Sequence, residues 1–286
     1  MSVASAYGET NLILETAVDE ISRHPLYGRY SLELQWVPSP SYFLRRQRIL
    51  ALVQALPRGR LLEVGCGAGA LLADLADEGF VCSAIETSGE AIRIASIMNA
   101  DRPEIDIRNE PPGSWEERFD FLVAFDVLEH QQDDLEALDQ WTRWLKRGGY
   151  LVISVPGRPE RWNASDVWAG HYRRYDRDSL SSALEAGGYL IRRIECYGFP
   201  LANLIEPLRA GYHRRQIVSS EKQRGTEDSK TRSTHRSGIE RSLEARLFPL
   251  QASWPGTAAM RLAFWLQNQF LTRDWGMGYI ALARKL

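Results

Sequence analysis

The chain has 286 residues, 44% of them hydrophobic, and its 35 Lys and Arg against 37 Asp and Glu leave a net charge of -2. That length supports one sizeable core, and the near-neutral balance argues against nucleic acid as a partner, because neutralising phosphates requires a basic surface. Cys66, Cys82 and Cys196 are far apart and without metal-ligand spacing, so buried free thiols, a reducing cytoplasm and no metal are expected. No apolar run is long enough to span a bilayer and no basic-then-apolar leader opens the chain, so a cytoplasmic protein without a transmembrane segment is expected.

Leu14, Ala17, Val18 and Ile21 recur at helical spacing and predict an amphipathic helix over residues 11–23. An aromatic, irregular piece follows with Tyr27, Tyr30, Trp36, Tyr42 and Phe43, in which Pro38 and Pro40 are expected to break regular structure. Its rings either pack the first helix onto the core or form a lid over a site. Residues 44–56 read as a helix stopped by Pro57, so residues 1–59 form an N-terminal helical extension or lid.

Residues 60–64 then read as a buried parallel strand, an apolar run bounded by Pro57 and Gly65. Gly65, Gly67 and Gly69 turn the chain sharply and let a ligand lie against the main chain where the next helix begins. Leu71, Leu72, Leu75 and Ala76 give that helix its apolar face, and Gly79 ends it. A strand, a glycine turn and a helix also satisfy a dinucleotide fingerprint. Here, however, Glu63 stands two residues before the first glycine, where a carboxylate repels pyrophosphate but suits an ammonium and a sulfonium.

Glu63, Gly65, Gly67 and Gly69 resemble the first motif of the class I S-adenosylmethionine-dependent methyltransferases, an acid followed by alternating glycines. A second strand, residues 81–85, ends at Glu86, and Thr87-Ser88-Gly89-Glu90 reads as a capping box opening the next helix. Glu86 lies 23 residues after Glu63, near the ~20-residue offset at which an acid accepts hydrogen bonds from ribose hydroxyls. A third, short strand at 105–108 leads to Asn109, which the resemblance places at the adenine edge by position alone. The helix usual before the next strand is reduced to residues 113–118, with Trp115 plugging the gap.

The resemblance becomes specific at the fourth strand, Phe119 to Phe125, followed by Asp126-Val127-Leu128-Glu129-His130. A helix with Leu135, Leu138, Thr142 and Leu145 on one face comes next, then Gly148-Gly149 and a fifth strand at 150–155. This is the signature order of small-molecule methyltransferases. It implies a cofactor site of Glu63, Gly65, Cys66, Gly67, Gly69, Glu86, Thr87, Asn109, Phe125 and Asp126, binding S-adenosyl-L-methionine and releasing S-adenosyl-L-homocysteine.

His130 falls just beyond a strand's carboxyl end, where open α/β sheets place ligands. It serves as a general base, orients the acceptor, or simply satisfies loop backbone. The long loop at 156–175 holds Asp166, His171, Tyr172, Arg173 and Arg174. Related methyltransferases border the acceptor pocket with this loop, which makes His171 a second catalytic candidate. Asp166, Tyr172 and Arg173 become substrate candidates, with Asp166 orienting His171 and the arginines holding an acceptor carboxylate or phosphate. Arg174 equally suits a structural role at a helix end.

A helix at 179–186 and a sixth strand at 189–197 follow, and residues 277–284 read as a last strand that inserts antiparallel beside the sixth. The expected fold is α/β, a Rossmann-like class I methyltransferase sheet, mostly parallel with its last strand antiparallel, carrying a helical cap insertion. The domain expectation is a core at 60–198, the cap at 199–276 with a mobile loop at 219–242, and a final core strand at 277–286. In the cap, residues 201–212 and 258–271 read as helices, the second with Leu262, Trp265, Leu266 and Phe270 on one side.

The expected activity is methyl transfer to a small-molecule or lipid- or sugar-linked acceptor, oxygen slightly preferred, by a monomer or homodimer. Phe248, Trp254 and Phe264 also admit peripheral membrane contact. A non-catalytic S-adenosylmethionine-binding subunit and a nicotinamide oxidoreductase are the alternatives.

Overall fold

The computed structural model describes residues 21–221 and 239–286. A hairpin of β1 (Ser22–His24) and β2 (Gly28–Tyr30) leads into helix α1 (Pro40–Val53). The sheet strands are β3 (Arg60–Val64), β4 (Val81–Ile85), β5 (Asp106–Arg108), β6 (Phe119–Phe125), β7 (Leu145–Pro156), β8 (Tyr189–Tyr197) and β9 (Gly278–Lys285). They lie in the order β5-β4-β3-β6-β7-β9-β8. Neighbours from β5 to β7 run parallel, and β9 runs antiparallel between β7 and β8.

The central strands read as unbroken apolar runs because both faces of the sheet are covered. In β3, Leu62 packs on the side of Leu138, Leu180 and Leu184, which come from α4 (Asp134–Trp144) and α6 (Arg177–Ala186). Its neighbour Leu61 packs on the other side with Ile49 of α1 and Leu72 and Leu75 of α2 (Ala70–Asp77). The chain leaves β3 toward β4 and returns on the opposite side as β6, so a crevice opens at the carboxyl ends of these strands. The remaining helices are α3 (Gly89–Met98), α5 (Ala164–Ala169), α7 (Leu201–Glu221), α8 (Ser242–Ala252) and α9 (Trp254–Asn268).

Several local expectations are revised. Most of the helix expected at 11–23 lies outside the described residues, and Ser22 and Arg23 belong to β1. Pro40 starts α1 instead of breaking structure: Ser39 caps the helix by accepting from Tyr42 N–H, and proline fits the first turn, where its missing N–H costs nothing. Ser88, not Thr87, caps α3, accepting from Ala91 N–H. Residues 113–118 form turns instead of a short helix, and Trp115 does plug the gap, edge-on to Phe119. On α4 the buried face is Ala137, Leu138 and Trp141, leaving Leu135 exposed. The fifth strand starts at Leu145, with an irregularity that takes up the glycine turn.

The cap departs most. Residues 219–221 continue α7, Ser242 opens α8, and most of the loop expected between them lies outside the described residues. The sequence reading missed α8. On α9 the buried residues are Met260, Ala263 and Gln267, while Leu262 and Trp265 are exposed, the reverse of the expected face.

Candidate functional site

A cavity of about 330 Å³ sits at the strand ends, floored by Val64, Ile85, Phe125 and Pro156, the last residues of β3, β4, β6 and β7. Trp36, Tyr42 and Arg45 form one wall, so the N-terminal segment both packs on the body and covers the site. Ile205, Glu206, Arg209 and Arg241 of the cap form another.

The glycine turn holds its shape through backbone that other residues would strain. Gly65 has φ +68, and a Cβ there would meet Val127 Cγ2 at 2.7 Å. Gly69 has φ +69 and caps α2; a Cβ there would meet Asn99 and Ala95, so its role is packing and it does not line the cavity. Glu86 braces the turn, accepting from Gly67 N–H at 2.9 Å and Ser88 N–H at 3.0 Å. Cys66 and Thr87 line the same wall, and burial pushes the Cys66 thiol well up, so it stays protonated.

Glu63 is buried with Oε2 lacking a hydrogen-bond partner. Burial pushes it up to about 8; Arg45 opposes the shift and Glu86 adds to it. A buried carboxyl without a partner is costly unless a donor or cation reaches it, and the cavity is where one would come from. Beside it, Asp126 occupies a left-handed backbone conformation, φ +57, where non-glycine residues are strained. Ser154 Oγ donates to its Oδ1 at 2.8 Å, and Arg45 pairs with its other oxygen. Nothing in the sequence pattern pointed to Arg45, because it reaches the site from α1, far upstream of the motifs.

Asp166, 1% exposed, lies 2.9 Å from His171 Nδ1 through its Oδ1. Although burial opposes it, the bonds from His171 and Arg174 hold the Asp166 carboxyl down at about 2. An ionised acceptor there places the imidazole proton on Nδ1 and leaves the lone pair on Nε2, which lies 3.9 Å from Glu129 Oε1. Arg174 links this pair to the cap: its Nε donates to Asp166 at 2.7 Å and its Nη atoms reach Glu206 of α7 at 3.0 Å.

His130 packs edge-on against His171, ring centroids 4.8 Å apart. Burial and the facing His171 push the His130 imidazole down to about 3, so it stays neutral and accepts protons poorly. Glu129, read in the sequence only as part of the motif, is fully buried with neither carboxylate oxygen hydrogen-bonded. Burial raises it to about 8. Glu129, His130 and His171 each offer one atom within 4.8 Å of the others, a donor set and spacing that admit a divalent cation. The expectation of no metal rested on cysteine spacing, which cannot reveal this trio.

The structure thus gathers Glu63, Gly65, Cys66, Gly67, Glu86, Thr87, Phe125, Asp126, His130, Asp166 and His171 around one cavity. Asn109 is exposed and does not line it. Tyr172 and Arg173 do not line it either: Tyr172 N–H donates to Glu129 O, and Arg173 pairs with Asp134 at 2.8 Å. The neighbouring Arg174 lines the cavity instead.

The family described as "Methyltransferase domain" matches residues 41–193. A ubiquinone biosynthesis O-methyltransferase from Alkalilimnicola ehrlichii is 30% identical over 121 residues, 40% of this chain and 49% of that one. Another with the same name, from Xanthomonas campestris pv. campestris, is 33% identical over 113 residues, 36% and 46% of the two chains. This chain therefore spans about half the length of the curated relatives it matches. Among solved structures, the cyclase SpnF superposes with a TM-score of 0.51 at 21% identity, covering 96% of this chain and 92% of that one. That likeness concerns the fold, which hosts more than one chemistry.

Proposed function

Because the chain belongs to the class I S-adenosylmethionine-dependent methyltransferases, we propose that it transfers a methyl group to a hydroxyl oxygen of a small, anionic acceptor. The observation that carries this reading is the single cavity shared by an unpartnered buried acid, Glu63, on one side and the Asp166-supported His171 on the other.

S-adenosyl-L-methionine, when bound, supplies a methyl group already activated on a sulfonium. Glu63 pairs with the ammonium end of such a ligand, which meets the unsatisfied Oε2. Glu86 already accepts from the glycine turn, and its carboxylate retains lone pairs for ribose hydroxyls. His171 takes the acceptor's proton on Nε2, and Asp166 stabilises the imidazolium that results. His130, neutral and edge-on, fixes the plane of the His171 ring. Most of the catalysis is alignment, which supplies on the order of 7 to 11 kcal/mol.

The cap recognises the acceptor's charge. Arg209 and Arg241 line the cavity, each with a buried Nε that lacks a hydrogen-bond partner. Burial, with Arg209 nearby, lowers Arg241 to about 10, so an anion between the two would relieve a like-charge contact. The relatives named O-methyltransferases support oxygen as the target. The family match does not favour the nicotinamide reading, and the dyad facing the acid does not favour a purely binding role.

Calorimetric titration with S-adenosyl-L-methionine tests the cofactor half. Binding in the micromolar range, about -8 kcal/mol, is expected, and Glu63→Gln should weaken it at least about tenfold. No binding by folded protein overturns the reading. For the acceptor half, the hydroxyl of a hydroxybenzoate anion is expected to be methylated faster than that of its uncharged ester, and the opposite order would remove the arginines from recognition.

A further inference from the structure

The cap helices carry apolar residues on the side that ordinary surface helices make polar. On α9, Met260 and Ala263 face inward, while Trp254, Leu262 and Trp265 on the opposite side are 83%, 57% and 58% exposed. Leu247 and Leu250 of α8 are exposed in the same way, and so are Leu204, Leu208 and Val218 of α7. Leu243, Leu247 and Leu250 of α8, and Trp254, Ala258, Leu262 and Trp265 of α9, recur at three- and four-residue intervals and give these two helices an apolar stripe on the outer face, whereas on α7 exposed Arg215 separates Leu208 from Val218.

The stripes are surplus to folding. The inner faces are already committed: Ala202, Phe248, Met260 and Ala263 pack with Tyr27 and Phe43, and Ile205 lines the cavity. Phe248, one of the rings that suggested membrane contact from sequence, therefore faces the body, whereas Trp254 faces out. An outward apolar face of this extent marks an interaction surface.

Charge identifies the partner. The exposed charged residues described on α7, α8 and α9 are all arginines, whereas Glu206 and Arg209 of α7, and Arg241 just before α8, line the cavity. Exposed Arg214 and Arg215 on α7, Arg246 on α8 and Arg261 on α9 adjoin the stripes. Tryptophan and leucine flanked by arginine suit the boundary between acyl chains and headgroups, where the apolar groups enter and the guanidinium groups reach phosphate. A second copy meeting this face would set these arginines against arginines.

We propose that the outer face of the cap docks onto an anionic lipid bilayer, peripherally, since no described helix is long and apolar enough to cross a membrane. Of these helices α7 walls the cavity, through Ile205, Glu206 and Arg209, so docking sets that wall of the cavity near the lipid surface.

Sedimentation of the full chain with vesicles tests this. The wild type is expected to pellet with phosphatidylcholine vesicles containing phosphatidylglycerol, much less with phosphatidylcholine alone, and about tenfold less in about 0.5 M salt. Trp254→Glu combined with Trp265→Glu should reduce pelleting at least about tenfold with an unchanged melting temperature, because neither ring is buried. Wild-type protein remaining in the supernatant with the anionic vesicles overturns the proposal, and so does undiminished pelleting of the double variant. A concentration-dependent dimer in gel filtration that the double variant abolishes, without vesicle binding, assigns the face to a second copy and also overturns it. S-adenosyl-L-methionine titration of the same samples separates this outcome from failure of the catalytic reading.

Discussion

His171 Nδ1 and Asp166 Oδ1 lie 2.9 Å apart, five residues apart in a loop whose helix α5 brings them together. Asp166 begins that arrangement as part of a capping box with Asn163, accepting its N–H at 2.8 Å, so one carboxylate both caps α5 and orients the histidine. Local helix chemistry thereby fixes the geometry of this pair.

If His171 removes the acceptor proton, His171→Ala should lower kcat by about 10² to 10⁴ while S-adenosyl-L-methionine binding is retained. Asp166→Asn should lower kcat less, because the imidazole keeps its place but loses its anionic partner. Unchanged kcat in both variants would move proton removal elsewhere, with Glu129 the next group to test.

Glu63 makes the unliganded protein sensitive to alkali. Its folded value of about 8 stands above the ordinary 4.5. Stability from holding that proton is complete below about 4.5 and is lost as pH rises toward 8, because the unfolded chain releases the proton first. The loss is on the order of a few kcal/mol. Glu129, also raised to about 8, contributes a similar slope, so Glu63→Gln should roughly halve the fall of melting temperature between about pH 5 and 8. An equally steep decline in the variant would assign the effect to another group.

Cofactor binding should release a proton. An ammonium beside Glu63 favours its ionised form, so the carboxyl gives up the proton it holds near neutrality. Calorimetry at pH 7 in two buffers of different ionisation enthalpy should report release of close to one proton, and none for Glu63→Gln. Identical heats in both buffers would remove Glu63 from the ammonium site.

Gly65→Ala is expected to destabilise the protein by about 1 to 3 kcal/mol and to abolish S-adenosyl-L-methionine binding. The new methyl group would enter a left-handed position and press on Val127, which follows the strained Asp126. Thermal melting and titration read the two effects separately. Wild-type values for both would mean the turn is looser than its geometry implies.

The strands and the glycine turn are legible along the chain, although Asn109 and Gly69, expected at the same site, do not line the cavity. Unbroken apolar runs such as Leu61-Leu62 mark strands covered on both faces, and the acid before Gly65, Gly67 and Gly69 marks the turn, because both signals are local. The acceptor end was decided by tertiary structure. Arg45 of α1, the Glu206 and Arg209 pair of α7 and Arg241 before α8 reach the cavity from elements far apart in the chain, and no spacing links the three. Arg173 and Arg174 are adjacent, yet the backbone sends one to Asp134 and the other to Asp166. The cap was misread for a related reason: apolar periodicity gives a helix and its apolar face, but not whether that face turns to the core. On α9 small Ala263 and flexible Met260 allow close packing inward, and the larger Trp265 and Leu262 are left outside.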